Sequence, residues 1–101
     1  MKPKFSIKIL AKKLNEYEET FEYSQNLAKW AGEGYLYFLE SGDKIIPEII
    51  FLEFILGDIE AQWKCLLANE YSSKKLNPKI FCFPIDFIKT WLADIERFYK
   101  N

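Results

Sequence analysis

From Ile7 onward the chain places Ile7, Leu10, Leu14, Tyr17, Phe21, Ser24, Ala28 and Ala31 at alternating spacings of three and four. That is the period of one helix face, so the pattern predicts a helical stripe of about twenty-five residues. Two further readings stay open. Asn15 followed by Glu18 matches a capping box, which would end one helix and restart another. Phe5, Ile7 and Ile9 also alternate like one face of a short strand, with the helix then starting after Leu10.

Gly32 and Gly34, SGDK at 41–44 and SSKKLNPK at 72–79 punctuate the chain. Between the first two breaks, YLYFLES (35–41) reads as a short helix. Pro47 suits the first turn of a helix through EIIFLEFIL, with Gly57 as its stop and Asp58 as the next N-cap. Ile59, Trp63, Leu66 and Leu67 then share a face. Pro78 and Pro84 bracket the apolar IFCF at 80–83, a turn of helix or a buried strand. The last helix is the clearest: Ile88, Trp91, Leu92, Ile95 and Phe98 form its apolar stripe, and Lys89, Asp94, Glu96 and Arg97 take the other side. The sum is an all-α single domain over residues 1–101, a bundle of about five helices. A mixed α+β domain, with short strands near 4–10 and 79–83, is the second choice.

Composition agrees with a packed domain. Half of the residues are hydrophobic, and nine Phe, six Tyr and three Trp exceed what a core of this size needs. Some rings are therefore expected at the surface, available to a partner. The most apolar run, Ile45 to Gly57, is thirteen residues with two glutamates, too short for the roughly 20 residues of a membrane span. The N-terminus lacks the long apolar stretch of a signal peptide, so a cytoplasmic chain is expected, with Cys65 and Cys82 as buried free thiols. The absence of valine, the single arginine (Arg97) and the abundance of Ile, Lys, Asn, Phe and Tyr read as the codon bias of an AT-rich, bacterial genome.

The same inventory removes most catalytic chemistry. Without histidine there is no Ser-His-Asp or Cys-His arrangement, and the commonest general base and zinc ligand are missing. Gly32 and Gly34 make only GEG, not a phosphate loop. Carboxylate pairs remain, Glu18 with Glu22 and Asp58 with Glu60, but they need to converge in a cleft to act. The residues imply no cofactor and no metal.

Charge is where the chain is most distinctive. Residues 1–13 carry +5, residues 14–60 carry −9 and residues 61–101 carry +3, leaving −1 overall. A segment at −9 is unsuited to nucleic acid, which is bound by cations set against phosphates. Its densest part is NEYEETFEY (15–23), four glutamates and three rings in nine residues. If Asn15 caps a helix, Glu16, Glu18 and Glu19 fall in the first turn, where the helix dipole favours negative charge. Glu22 would lie beyond it, repelled by Glu18 and Glu19. A solvated, capped helix face is one reading of the cluster; an acidic ridge with tyrosine anchors, built for a basic protein partner, is the other.

A small acidic chain with surplus rings and no catalytic kit resembles in build the immunity proteins of bacterial toxin systems, of the colicin and contact-dependent growth inhibition kinds. The resemblance covers the whole chain and rests on no motif. It implies a non-catalytic inhibitor of a cognate basic toxin domain, often a nuclease, with no direct contact to nucleic acid or membrane. On this reading the contact residues are Glu16, Glu18, Glu19, Glu22, Tyr23, Glu33, Tyr35, Tyr37, Glu40 and Asp43. The alternatives are a ligand pocket lined by rings, or a structural subunit that oligomerises through Ile45 to Leu56.

Overall fold

The computed structural model describes residues 5–41, 46–73 and 81–100. Its elements are four helices: α1 (Ile7–Asn15), α2 (Phe21–Ser41), α3 (Pro47–Ser73) and α4 (Ile85–Lys100). No described residue is in a strand, so the domain is all-α. α2 lies against α3, α1 rests on α4, and one hydrophobic core joins all four.

The start of α1 decides against a strand at residues 5–10. Ser6 is extended, and its hydroxyl accepts the Ile9 N–H at 3.1 Å, an N-cap that opens a helix at Ile7. The helical period then sends Ile7, Leu10 and Leu14 into the core. Asn15 is the last residue of α1 rather than the cap of α2, and its amide donates back to the Ala11 carbonyl. Thr20 takes the capping role, its hydroxyl accepting the Tyr23 N–H at 3.1 Å. The single stripe read from the sequence is thus two helices whose core faces stay in step across the connection.

Tyr17 stands in that connection and closes a buried hydrogen-bonded ring. Its hydroxyl donates to the Phe83 carbonyl at 2.6 Å, the Phe83 N–H donates to Ser24 Oγ at 3.0 Å, and the two hydroxyls are 3.1 Å apart. Because the Tyr17 proton goes to the carbonyl, the Ser24 proton goes to the tyrosine oxygen, and every group is satisfied. This is why a serine occupies a fully buried position in an apolar stripe. It is also why residues 81–84 need be neither helix nor strand: side chains supply the hydrogen bonds that a ladder would. Held this way, the Phe83 ring lies 4.9 Å from Trp63 and 5.2 Å from Trp91. Residues 79 and 80, where the sequence also allows a strand, lie outside the described residues.

The described residues form four helices, not about five, because three glycines lie inside helices. Gly32 and Gly34 are within α2, and Gly57 is within α3. A Cβ on Gly34 would sit 2.7 Å from both Leu56 and Phe5 side chains, and one on Gly57 would sit 2.9 Å from the Tyr35 ring. These glycines let α2 and α3 approach closely and cost helix propensity to do so. Asp58, likewise, caps nothing. It lies mid-helix, and its carboxylate accepts the Trp91 indole N–H of α4 at 2.9 Å. Trp63 makes a matching bond to Gln25 of α2 at 2.6 Å. Pro47 does open α3 as the sequence indicates, and α4 buries Ile88, Trp91 and Ile95 as its stripe requires. Cys65 and Cys82 are free thiols; Cys65 is exposed rather than buried, because it falls on the outer face of α3.

Substitution at two of the glycines should have opposite signs. Gly34→Ala presses a methyl on Leu56 and Phe5, both held in the core, so a net loss of about 1–2 kcal/mol is expected after the helix-propensity gain. At Gly32 the obstacle is the movable Glu60 carboxylate, so Gly32→Ala should be neutral or stabilising by up to about 1 kcal/mol. Urea denaturation followed by circular dichroism measures both.

Burial pushes the Tyr17 phenol well above its ordinary value, and burial with the Glu16 and Glu18 carboxylates raises Tyr23. Both groups hold their protons more tightly folded than unfolded, so stability is intact below pH ~10 and falls as pH rises beyond it. The urea midpoint should drop between about pH 9.5 and 11.5. Tyr17→Phe should be less stable at neutral pH, by roughly 1–3 kcal/mol for the orphaned carbonyl, yet show a shallower alkaline decline.

Candidate interaction surface

The acidic cluster lies at the corner between α1 and α2. Glu16 is the C-cap of α1, Glu18 and Glu19 precede the Thr20 cap, and Glu22 is in the first turn of α2. The dipole assignment from sequence is therefore reversed. Glu22 is the one within a favourable first turn, while Glu16 sits at a helix C-terminus, where negative charge is disfavoured. The break in the helix also removes the expected i+4 repulsion between Glu18 and Glu22, since only Glu22 is helical. All four carboxylates face solvent.

Tyr23 is committed inside the fold. Its hydroxyl donates to the Lys13 carbonyl at 2.6 Å, and its ring meets Tyr17 edge-on at 5.6 Å. The Lys13 ammonium in turn lies 4.9 Å over the Trp30 ring. The α1–α2 corner is thereby fixed from both ends, and the glutamates project from a rigid support.

Along α2 the residues Glu22, Asn26, Lys29, Glu33, Tyr37 and Glu40 recur at spacings of three and four, and all are exposed. They form the outer face of the helix, about 27 Å from Glu22 to Glu40. Tyr37 is half covered by packing on Phe5 and Phe38 at 5.7 and 5.2 Å. Tyr35 is not on this face. It points toward α3 and rests on Gly57. Asp43 lies outside the described residues. Of the ten residues named from sequence, the corner and the outer α2 face thus hold Glu16, Glu18, Glu19, Glu22, Glu33, Tyr37 and Glu40.

The sequence offered Ile45 to Leu56 only as a segment for oligomerisation and did not place its apolar residues next to the acidic face. Ile46, Ile50 and Phe54 succeed one another at intervals of four and are 49%, 53% and 75% exposed; on α2, Leu36 is 52% and Leu39 41% exposed. Beside Ile50 and Phe54 an open groove of about 730 Å³ is lined by Tyr35, Ile50, Glu53, Phe54, Gly57, Glu60 and Ala61. The signal was present. Seven of the eight residues of IIFLEFIL (49–56) in α3 are apolar, yet a surface helix has one buried stripe, so such a stretch must expose apolar residues if only one side packs.

Asp58 and Glu60 do not converge. Asp58 turns to Trp91 on α4, whereas Glu60 lies over Gly32 on α2 and pairs with Lys64 at 3.2 Å. Among the described residues no three potential ligands come together to hold a metal, and no helix is long and apolar enough to cross a membrane. Comparison with protein-family models, curated proteins and solved structures returned no match.

Single substitutions should separate the two faces of α3. Phe54→Ser is expected to change stability by no more than about 0.5 kcal/mol. Leu56→Ala, two residues along and fully buried, should cost about 2–5 kcal/mol. Thermal and urea unfolding of both variants supplies the comparison.

Proposed function

We propose that this chain is a non-catalytic inhibitor that binds and neutralises a basic protein, in the manner of an immunity protein acting on a nuclease-type toxin domain. One juxtaposition carries the reading. The exposed carboxylates of the α1–α2 corner and outer α2 face stand beside exposed Leu36, Leu39, Ile50 and Phe54. Apolar anchors bordered by predominantly negative charge, with Lys29 among the carboxylates, suit a partner with a cationic surface around an apolar centre. The carboxylates would steer the encounter, and the rings and aliphatic side chains would hold the complex.

A second reading is favoured by Ile46, Ile50 and Phe54 being exposed on the segment first considered for oligomerisation. A second copy seated there would bring two acidic faces together, which weighs against it. A sedimentation mass that rises with concentration would favour self-association.

The direct test is affinity capture from the native host, with mass spectrometry of what is retained and a binding assay on the purified partner. One basic protein should bind wild type. Affinity should fall at least tenfold between about 0.1 and 1 M salt, as the screening length contracts from about 10 to 3 Å. Combined Glu16, Glu18, Glu19 and Glu22→Gln should slow association, and Phe54→Ser should speed dissociation. Capture of an acidic protein, or equal affinity for the glutamine variant, would reject the charge-steered inhibitor.

A further inference from the structure

Among the described residues Asp58 has no cationic partner. Its Oδ2 accepts the Trp91 indole N–H at 2.9 Å and its Oδ1 accepts the Gln62 amide at 3.3 Å. No lysine or arginine among the described residues pairs with it, although Glu60, Asp94 and Glu96 each have a basic neighbour. A half-buried carboxylate held by two neutral donors keeps spare lone pairs.

The carboxylate borders a cavity of about 200 Å³ between α3 and α4, lined by Asp58, Gln62, Phe87, Thr90 and Trp91. What remains there for hydrogen bonding is mostly acceptor. The Trp91 N–H is spent on Asp58, and the Thr90 hydroxyl donates to the Asp86 carbonyl at 2.9 Å, which leaves the threonine oxygen as an acceptor. Gln62 commits one N–H to Asp58, keeping its carbonyl and one further N–H. Phe87 and Trp91 meet edge-on at 5.9 Å and supply the aromatic wall. One negative charge, acceptor oxygens and two rings select an organic cation. The volume is below the roughly 300–1,000 Å³ of pockets for drug-sized ligands and suits a single side chain. Phe54, the most exposed of the large apolar residues, is one helical turn before Asp58. The cavity therefore adjoins the apolar face described above.

We propose that this cavity seats one lysine or arginine side chain of the protein partner, with the cationic head at Asp58 and the residue beside it on Phe54. The assignment of a protein as the source rests on the proposed function; the preference for a cation does not.

The indole N–H resonances of Trp30, Trp63 and Trp91 give a direct readout. ¹⁵N-labelled protein would be titrated with the N-acetyl, N′-methylamide derivatives of arginine, lysine and citrulline, and with 1,4-diaminobutane. Saturable movement of Trp91 with arginine or lysine is expected, with citrulline, neutral but of arginine's shape, at least about tenfold weaker. Asp58→Asn should abolish the preference while keeping an oxygen for the indole. If that variant does not fold, the arginine–citrulline comparison on wild type decides alone. Equal binding of citrulline, or equal movement of all three indoles, overturns the site. A diamine bound a hundredfold more tightly than either side-chain derivative would overturn its assignment to a protein side chain. Two outcomes separate this inference from the reading beneath it. Cation binding at Trp91 with no basic protein captured would reject the inhibitor and keep the cation site. A captured basic partner held equally by Asp58→Asn would reject the seat and leave the inhibitor standing.

Discussion

The hydrogen-bonded ring of Tyr17, Ser24 and Phe83 is the constraint on which the rest of the arrangement depends. Residues 81–84 have no secondary structure, so the backbone of buried Phe83 would be costly without partners. Tyr17 and Ser24 supply both the donor and the acceptor that Phe83 requires. Fixing Phe83 between Trp63 and Trp91 sets where α4 begins, and therefore where Trp91 meets Asp58. A polar contact between the α1–α2 connection and a distant coil thus determines the geometry of the α3–α4 cavity. Such a network stabilises when complete and penalises heavily when broken, which makes it a device for one particular packing.

The α2–α3 pair follows a different logic. Helices that approach through glycine gain contact at short range, and here Tyr35 lies on Gly57 while Leu56 and Phe5 close on Gly34. The larger residues of α3 are then divided between its two sides. Leu52, Ile55, Leu56 and Ile59 go into the core; Ile50 and Phe54 are left outside. Burial of a side chain of this size is worth about 1.5–3 kcal/mol, so leaving Ile50 and Phe54 in water forgoes stabilisation that a polar-faced helix would never have offered.

Much of the fold was legible in the sequence, because periodicity records burial. Ile7, Leu10, Leu14 and the α4 stripe were readable as core, and Pro47 as a helix start. The glycines misled for a physical reason: a residue without a Cβ marks either a turn or a close approach, and only the neighbouring helix tells which. Asp58 after Gly57 looked like a stop and a cap for the same reason. Asn15 and Thr20 both have capping chemistry, and the choice between them fell to Tyr17, whose hydroxyl reaches Phe83 only if the chain breaks between the two helices. That contact spans sixty-six positions and leaves no local trace. The candidate surface was legible as charge but not as shape. Glutamates announce themselves by composition, whereas exposure of Ile50 and Phe54 depends on which side of α3 the core takes.

Charge and apolar contact would also act at different distances on the proposed reading. At physiological ionic strength the screening length is about 8 Å, so the carboxylates of the corner and α2 influence a partner before contact, and Phe54 and the Asp58 cavity only after it. Electrostatic steering changes chiefly the rate of association, and well-packed anchors chiefly the rate of dissociation. An inhibitor that must reach its target before the target acts needs the first, and one that must keep it silent needs the second. The acidic faces along the 27 Å or so of α2 are too extended to define a register by themselves, since any cationic surface would satisfy them about equally well. A single cation held at Asp58 beside Phe54 does define one, because a side chain displaced by even one helical turn meets neither the carboxylate nor the ring. Specificity for one basic partner among many would then reside in α3 and α4, next to the acidic faces rather than within them.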